Sequence, residues 1–345
     1  ASVAQVPAAA PLSRGRRGGS ARGGSARAAG LLLGLAADAW LGDPRRWHPV
    51  AGFGRYAAWV ELRTYRNTRI AGVGHLAACV TPLLAAGIVV ERATARRAVP
   101  RVLVTALATW AVVGARSLAG EGRAMAAALA AEDLGAARAR LPHLCGRDPE
   151  HLSAGELGRA TVESLAENAS DAVVCSLLWG AAFGLPGLLG HRAVNTLDAM
   201  VGHRSARYAR FGTASARCDD VLGLVPARVT GALACLLAPL VGGSSGRAWR
   251  VMWRDHAAHP SPNGGWPESA WAGSLGVRLG GVNDYAGRVE ERPTLGDGGL
   301  PTAHDVRRAA RLVPLVSWAS AVVAVGICAL RGAAWGIPSF KLRGG

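Results

Sequence analysis

The amino-acid sequence predicts an all-α, polytopic integral membrane protein with four to six membrane segments, one of them short and re-entrant, and helical extramembrane segments. Three observations point there. Half of the 345 residues are apolar, which suits a membrane protein better than an average soluble enzyme. The apolar residues gather into stretches of about membrane-spanning length. Many of the acids stand in four short clusters, each beside one of those stretches. Carboxylates next to hydrocarbon are costly, so they mark pathways or sites.

Residues 1–30 are Ala/Gly/Ser/Arg-rich without an acid, so a disordered basic tail is expected. Residues 31–41 are apolar but too short to span alone; adding 25–30 gives a marginal helix, closed by Gly42, Asp43 and Pro44. Residues 70–90 form a good span and 99–115 a second, joined by the short basic loop ERATARRA, which reads as cytoplasmic. Residues 116–171 read as amphipathic helices, one stopping before Pro142 and one started by a Ser153–Glu156 capping box. The apolar run 172–190 is Gly-rich and carries Pro186, so a broken or re-entrant helix is expected. Residues 221–242 and 312–330 are further spans, and 243–311 is a polar segment with loop chemistry. The division expected is a tail at 1–30, one helical membrane domain at 31–335 with polar loops 116–171, 191–220 and 243–311, and a tail at 336–345. Trp40, Trp110, Trp318 and Trp335 lie near stretch ends, as interfacial anchors do.

The net charge of +16 is carried almost entirely by arginine, because Lys341 is the only lysine. A lysine Schiff base in the body of the chain is therefore excluded. So is the phosphate loop GxxxxGK[ST], which leaves nucleotide phosphates to arginine, metal and backbone. No zinc-finger spacing or RNA-binding aromatic signature supports a nucleic-acid partner. The six cysteines form no CxxC and read as small hydrophobes.

In VESLAENASD, Glu163, Glu167 and Asp171 fall at i, i+4 and i+8, one face of a helix, with Asn168 beside them. Like charges so spaced cost roughly 0.2–0.5 kcal/mol per pair, and a cation between them would offset that. Hard oxygen ligands suit Mg²⁺; a solvated helix face, with Arg159 pairing Glu163, explains the spacing equally well. Asn195, Asp198, Asp219 and Asp220 form the second cluster, with Arg204, Arg207, Arg210, Arg217 and Arg228 around them. That mixture suits phosphate plus a divalent ion, or a membrane-proximal ion-pair network. The third cluster, RDHAAHPSPNGGWPES, holds Asp255, His256, His259, Asn263 and Glu268. Its SPNGG turn could offer backbone N–H groups to an anion, or be an ordinary surface turn. In the fourth, GDPRRWHPV places Asp43, Arg45, Arg46 and His48 at a helix exit.

Taken together and in this order, DAWLGDPRRWHPVAGFGR at 38–55, GRDPEHLSAGELGRATVESLAENASDAVVCSLLWGAAFG at 146–184, RAVNTLDAMVGHRSARYARFGTASARCDDVLGLVPARVTG at 192–231 and RDHAAHPSPNGGWPESAWAGSLGVRLGG at 254–281 resemble the CobD/CbiB family of cobalamin biosynthesis, the adenosylcobinamide-phosphate synthases. The resemblance runs from about 31 to 335. It implies a cell-membrane enzyme with a cytoplasmic active site. The enzyme would use ATP and Mg²⁺ to join adenosylcobyric acid to (R)-1-aminopropan-2-ol or its O-phosphate. Glu163, Glu167, Asp171, Asp219 and Asp220 would be catalytic, with Glu163, Glu167 and Asp220 on the metal. Arg217 and Arg228 would grip phosphate; Asn168, Asn195, Asp198, Asp255, Asn263 and His48 would hold cofactor or substrate. The cobalt belongs to the corrinoid substrate. Partners implied are the bilayer, other cobalamin-pathway membrane proteins and a second copy of the chain. Two positions depart from the family pattern: Gly223 stands where Asn is expected, and Glu268 where a small or apolar residue is. A corrinoid-binding scaffold and a transporter are the alternatives.

Overall fold

Residues 17–43, 48–203, 205–285 and 288–334 are described in a computed structural model. Small side chains set a close helix contact near the start of the described chain. Helix α1 (Arg17–Leu41) lays Gly30 and Gly34 on Thr105 and Thr109 of α4 (Ala98–Val113). A Cβ on either glycine would collide with the facing threonine. Such four-residue spacing of small residues lets membrane helices approach closely. Ala26, Ala28, Leu31 and Leu35 are buried, so residues 17–30 of the expected tail belong to a packed helix. Lack of apolar periodicity hid it, because this face packs through smallness.

Between them lie α2 (Pro49–Thr64) and α3 (Arg69–Ala93). His48 caps α2: the Val50 N–H donates to its Nδ1 at 3.2 Å, and Pro49 opens the helix. Arg45 and Arg46 lie outside the described residues. Beyond α4 the chain turns at Gly114 (φ +64°) into α5 (Ala115–Ala130), then α6 (Leu134–Arg140), which stops before Pro142 as expected.

Helix α7 (Ala154–Asn168) starts with the full capping box, Ser153 with Glu156. It does not end near 171. A π turn at Ala169–Val174 carries it straight into α8 (Cys175–Phe183). Gly184 then reverses the chain at φ +71°, ψ −149°, and α9 (Leu185–Leu197) returns, closing in a second π turn at Asp198–Gly202. Residues 172–190 are therefore the tip of a helical hairpin. The tip is pinned by Glu91, which accepts from Arg27 (2.8 Å), Arg101 (3.2 Å) and the Leu185 N–H (3.1 Å). Both acid-bearing arms thus meet without 172–190 crossing to another side.

Helix α10 (Thr213–Leu237) is followed by α11 (Ser245–Asp255) and α12 (Gly265–Leu275). Where loop was expected, β1 (Leu279–Tyr285) pairs antiparallel with β2 (Arg288–Leu295), Asn283 opposite Glu290. The final helix is α13 (Ala303–Ala334). Four helical stretches are long and apolar enough to cross a membrane: Arg69–Ala93, Ala98–Ala130, Thr213–Val241 and Ala303–Arg331. They contain the expected spans 70–90, 99–115 and 312–330 and all but the last residue of 221–242, and define a helical multi-pass membrane protein.

Three apolar cores hold the helices together. One joins α5, α7, α10, α11, α12 and α13 around Leu165, Met252 and Trp271. Leu31 and Leu177 lie in a second, between α1, α4, α8 and α13. The third sets α2 and α3 on α9 around Ala57, Cys79 and Leu197. Trp40 is exposed and Trp318 partly so, while Trp110 donates Nε1–H to Gly42 O at 2.9 Å; Trp335 lies outside the described residues. The six cysteines are free.

Candidate active site

The hairpin and the first turns of α10 bring together Glu167, Asp171, Asp198, Asp219 and Asp220. They sit in one another's electrostatic field. Burial first, then the charges of Asp219, Glu167 and Asp198, push the Asp171 carboxyl well above its ordinary range, with Arg192 opposing. Burial, then Asp220 and Glu167, push Asp198 up to about 6. Each π turn carries one of these two acids. A π turn inserts a residue into the helical ladder, a device frequent at functional sites, so Asp171 does not continue the Glu163–Glu167 face as a regular helix would require.

Arg192 is the basic member, and the sequence reading gave it no role. Burial lowers its pKa, while Asp43, Asp171 and Asp219 act in the opposite direction. Its Nη1 donates to Asn195 Oδ1 at 3.2 Å. Position was the hidden signal: a charged residue on the apolar return arm of a hairpin. Asp43 lies against Gly114, 3.4 Å from where a Cβ would stand. A small apolar pocket of about 90 Å³ takes Arg192 into its lining, with Val50, Phe53, Leu83, Val112 and Leu189 as its walls.

The SPNG loop reaches this group from the other side. Asn263 Nδ2 donates to Asp220 O at 2.7 Å, and Gly223 leaves the space that this amide occupies. The expected N–H nest is not free, because Asn263 N and Gly264 N both donate to Ser261 Oγ. Arg228 stacks on Trp266 at 4.7 Å, and Arg217, largely exposed, stands 4.0 Å from Asp220.

Two predicted site acids are engaged in holding the fold. Glu163 Oε2 receives Arg147 Nη2 at 2.6 Å and its Oε1 receives Gly280 N–H at 2.7 Å. It thereby joins α7 to β1, next to Arg159, which donates to Gly280 O and Val282 O. Asp255 takes a fork from Arg254 and the Gly296 N–H at 2.8 Å. Asn168 Nδ2 bonds back to Ser164 O and Oγ, and His48 is spent on its cap.

Glu268 is buried 3.4 Å from His259 Nε2, and Ser261 N–H donates to His259 Nδ1 at 3.0 Å. Burial, with Glu163 and Glu167, raises the Glu268 carboxyl against the pull of His259. Burial would lower His259, but Glu268, aided by Glu167, turns the net direction upward. A group held above its ordinary pKa stabilises the fold at low pH and loses that contribution as pH rises. The melting temperature in detergent is therefore expected to fall as pH climbs past 6.5, the ordinary histidine value. Glu268→Gln should flatten that slope; an unchanged slope would remove the pair from the account.

Among the described residues, no group of three or more His, Cys, Asp or Glu side chains is arranged to hold a metal ion. The nearby acids offer oxygen donors alone, carboxyls raised by one another and a buried Asp219 Oδ1 without a hydrogen-bond partner, the donor chemistry that a hard divalent ion prefers.

Fold and site define a multi-pass helical membrane protein with a carboxylate- and arginine-lined centre. A family profile described as "CobD/Cbib protein" matches residues 31–313. The chain belongs to the CobD/CbiB family. "Cobalamin biosynthesis protein CobD" of Mycobacterium tuberculosis is 50% identical over 299 residues, 87% of this chain and 95% of that protein. Its namesake in Geobacter metallireducens is 45% identical over 279 residues, 77% and 86% of the two chains. That of Chromobacterium violaceum is 40% identical over 313 residues, 88% and 97%. No solved structure matches.

Proposed function

We propose that this family member is an ATP-dependent amide ligase. It joins adenosylcobyric acid to (R)-1-aminopropan-2-ol or its O-phosphate, giving adenosylcobinamide or its phosphate. Membership of the family supports an enzymatic role in cobalamin biosynthesis. The observation that carries the finer reading is the meeting of five carboxylates with Arg192 at the end of an apolar pocket.

The chemistry asks for such a centre. A propionate carboxylate attacks the γ-phosphorus of ATP, ADP leaves, and the acyl phosphate so formed is attacked by the amine with loss of phosphate. Arg192 sits where it can hold a phosphoryl oxygen, with Arg217 and Arg228 nearer the surface. Glu167, Asp171, Asp198, Asp219 and Asp220 would hold Mg²⁺, which when bound neutralises ATP oxygens. Asn195 orients the Asp219 carboxylate, and Asn263 holds the main chain at Asp220. In this reading Glu163 and Asp255 are positioning residues, because their oxygens are already engaged.

ATP is a cytoplasmic reactant, so the reading turns the Asp43 end of α4 toward the cytoplasm. The sixteen residues of α4 put the Arg92–Arg97 loop about 24 Å away along its axis. In this reading that loop would stand on the opposite face, against the cytoplasmic expectation for it.

The test is reconstitution with Mg²⁺, ATP, corrinoid acid and amine. Glu167→Gln and Asp220→Asn should lose activity on the order of 10²–10³-fold while remaining folded in detergent. Corrinoid binding without ATP consumption would point instead to a scaffold, and corrinoid flux in vesicles to a transporter.

A further inference from the structure

Helix α2 has two faces. Ala57, Val60 and Glu61 are buried against the bundle. Glu61 points to Arg207 (2.9 Å) and Tyr208 (2.9 Å), away from the outer face. Outward stand Tyr56, Trp59 and Leu62, at 37%, 52% and 80% exposure, followed by Ile70 at 85% at the start of α3. Among these apolar groups lie Arg55, Arg63, Arg66 and Arg69, all exposed. No carboxylate pairs with any of the four among the described residues. Arg63 lies 3.6 Å over the Trp59 ring, so aromatic and cation form one amphipathic unit.

Aromatic rings, exposed aliphatics and unpaired guanidiniums on one outward face make a surface for an interface rather than for water or hydrocarbon. The helix links the end of α1 to the start of the span at Arg69–Ala93, so it lies where that span leaves the bilayer. We infer that α2 lies in the membrane interface and binds anionic phospholipid headgroups through Arg55, Arg63, Arg66 and Arg69. Charge complementarity selects the anionic lipid over a zwitterionic one. The proposal does not rest on the ligase reading, but it bears on it. The inner side of α2 supplies Val50 and Phe53 to the pocket that ends on Arg192, so lipid seated outside steadies the pocket wall inside. The surface also sits on the Asp43 end, and anionic lipid is concentrated in the cytoplasmic leaflet.

The full chain would be purified in detergent and exchanged into mixed micelles of phosphatidylglycerol and phosphatidylcholine in equal amounts. Retained lipid would be counted by native mass spectrometry. The wild type is expected to hold phosphatidylglycerol in clear preference. Arg→Gln at all four positions should reduce that retention well over tenfold at unchanged melting temperature, the loss expected when four guanidiniums leave an anionic surface. Trp59→Ser, which keeps the charges, should reduce it less. Equal retention of the two lipids by the wild type, or undiminished phosphatidylglycerol on the fourfold variant, overturns the proposal. Unfolding of the fourfold variant is controlled by single Arg→Gln exchanges, whose losses should accumulate. Thr68→Cys gives the second arm. It should escape a membrane-impermeant thiol reagent in intact spheroplasts and react in broken ones; labelling in intact spheroplasts overturns the assignment to the cytoplasmic leaflet.

Discussion

Mg²⁺ is expected to stabilise the detergent-solubilised protein well above pH 6 and hardly at all well below it. Asp198 is held up to about 6 by burial and by its acidic neighbours, and Asp171 is raised further. A carboxyl whose pKa is raised on folding stabilises while protonated, and that contribution disappears as pH climbs through the folded value. A divalent ion compensates for the lost proton, so it binds with proton release and weakens as pH falls. At a hundredfold excess over its Kd, the ion would add about 2.7 kcal/mol, a shift plainly visible in a melting curve. Asp171→Asn and Asp198→Asn should each diminish the Mg²⁺ effect. They should also raise the stability of the ion-free protein at high pH, since one member of a mutually repelling group is gone. If Mg²⁺ gave the same shift on both sides of pH 6, or if the variants responded like wild type, the acids would not be its ligands.

Gly184→Ala is expected to damage the fold and the site together. Gly184 holds φ +71° and ψ −149°, a region essentially reserved for glycine. The strain alone costs on the order of 1–3 kcal/mol. The new Cβ would also stand 2.5 Å from Glu91 Oε2 and 2.9 Å from Arg27 Nη2. It would push apart the ion cluster that pins the hairpin tip. Because the two arms of the hairpin carry Asp171 and Asp198, their relative placement should change with the turn. The expected result is a lower melting temperature together with loss of Mg²⁺ response. Ala182→Gly, in the same turn, serves as the comparison. A Gly184→Ala protein with wild-type stability and Mg²⁺ response would show that the turn does not set the site.

Much of this was legible from residue order. Apolar length showed the four spans, because a bilayer demands continuous hydrophobic stretches. Ser153 and Glu156 showed a helix start, because capping is local chemistry. Smallness used for packing was not legible: Gly30 read as tail and Gly34 as part of a marginal helix until α4 is seen against them. The strands at 279–295 were hidden too, since Gly280 and Gly281 blur the alternation of β1, and its anchoring comes from Glu163 and Arg159 more than a hundred residues earlier. The acids of the site could be named, but not which oxygens were spoken for. Glu163 and Glu167 look alike one helical turn apart; only the fold shows Arg147 and Gly280 on the first. Arg192 has Asn195 three residues on as a local partner, but its association with Asp43 and Asp219 exists only through space.

The uninterrupted run from Ala154 to Phe183 is, mechanically, a strut of thirty residues and about 45 Å. One part is clamped to the β strands through Glu163; the other is anchored at the turn below Phe183. Asp171 rides between these two fixings. A tilt imposed on the strands would therefore arrive at the carboxylates as displacement, at a softened point in the strut where the π turn breaks the regular ladder.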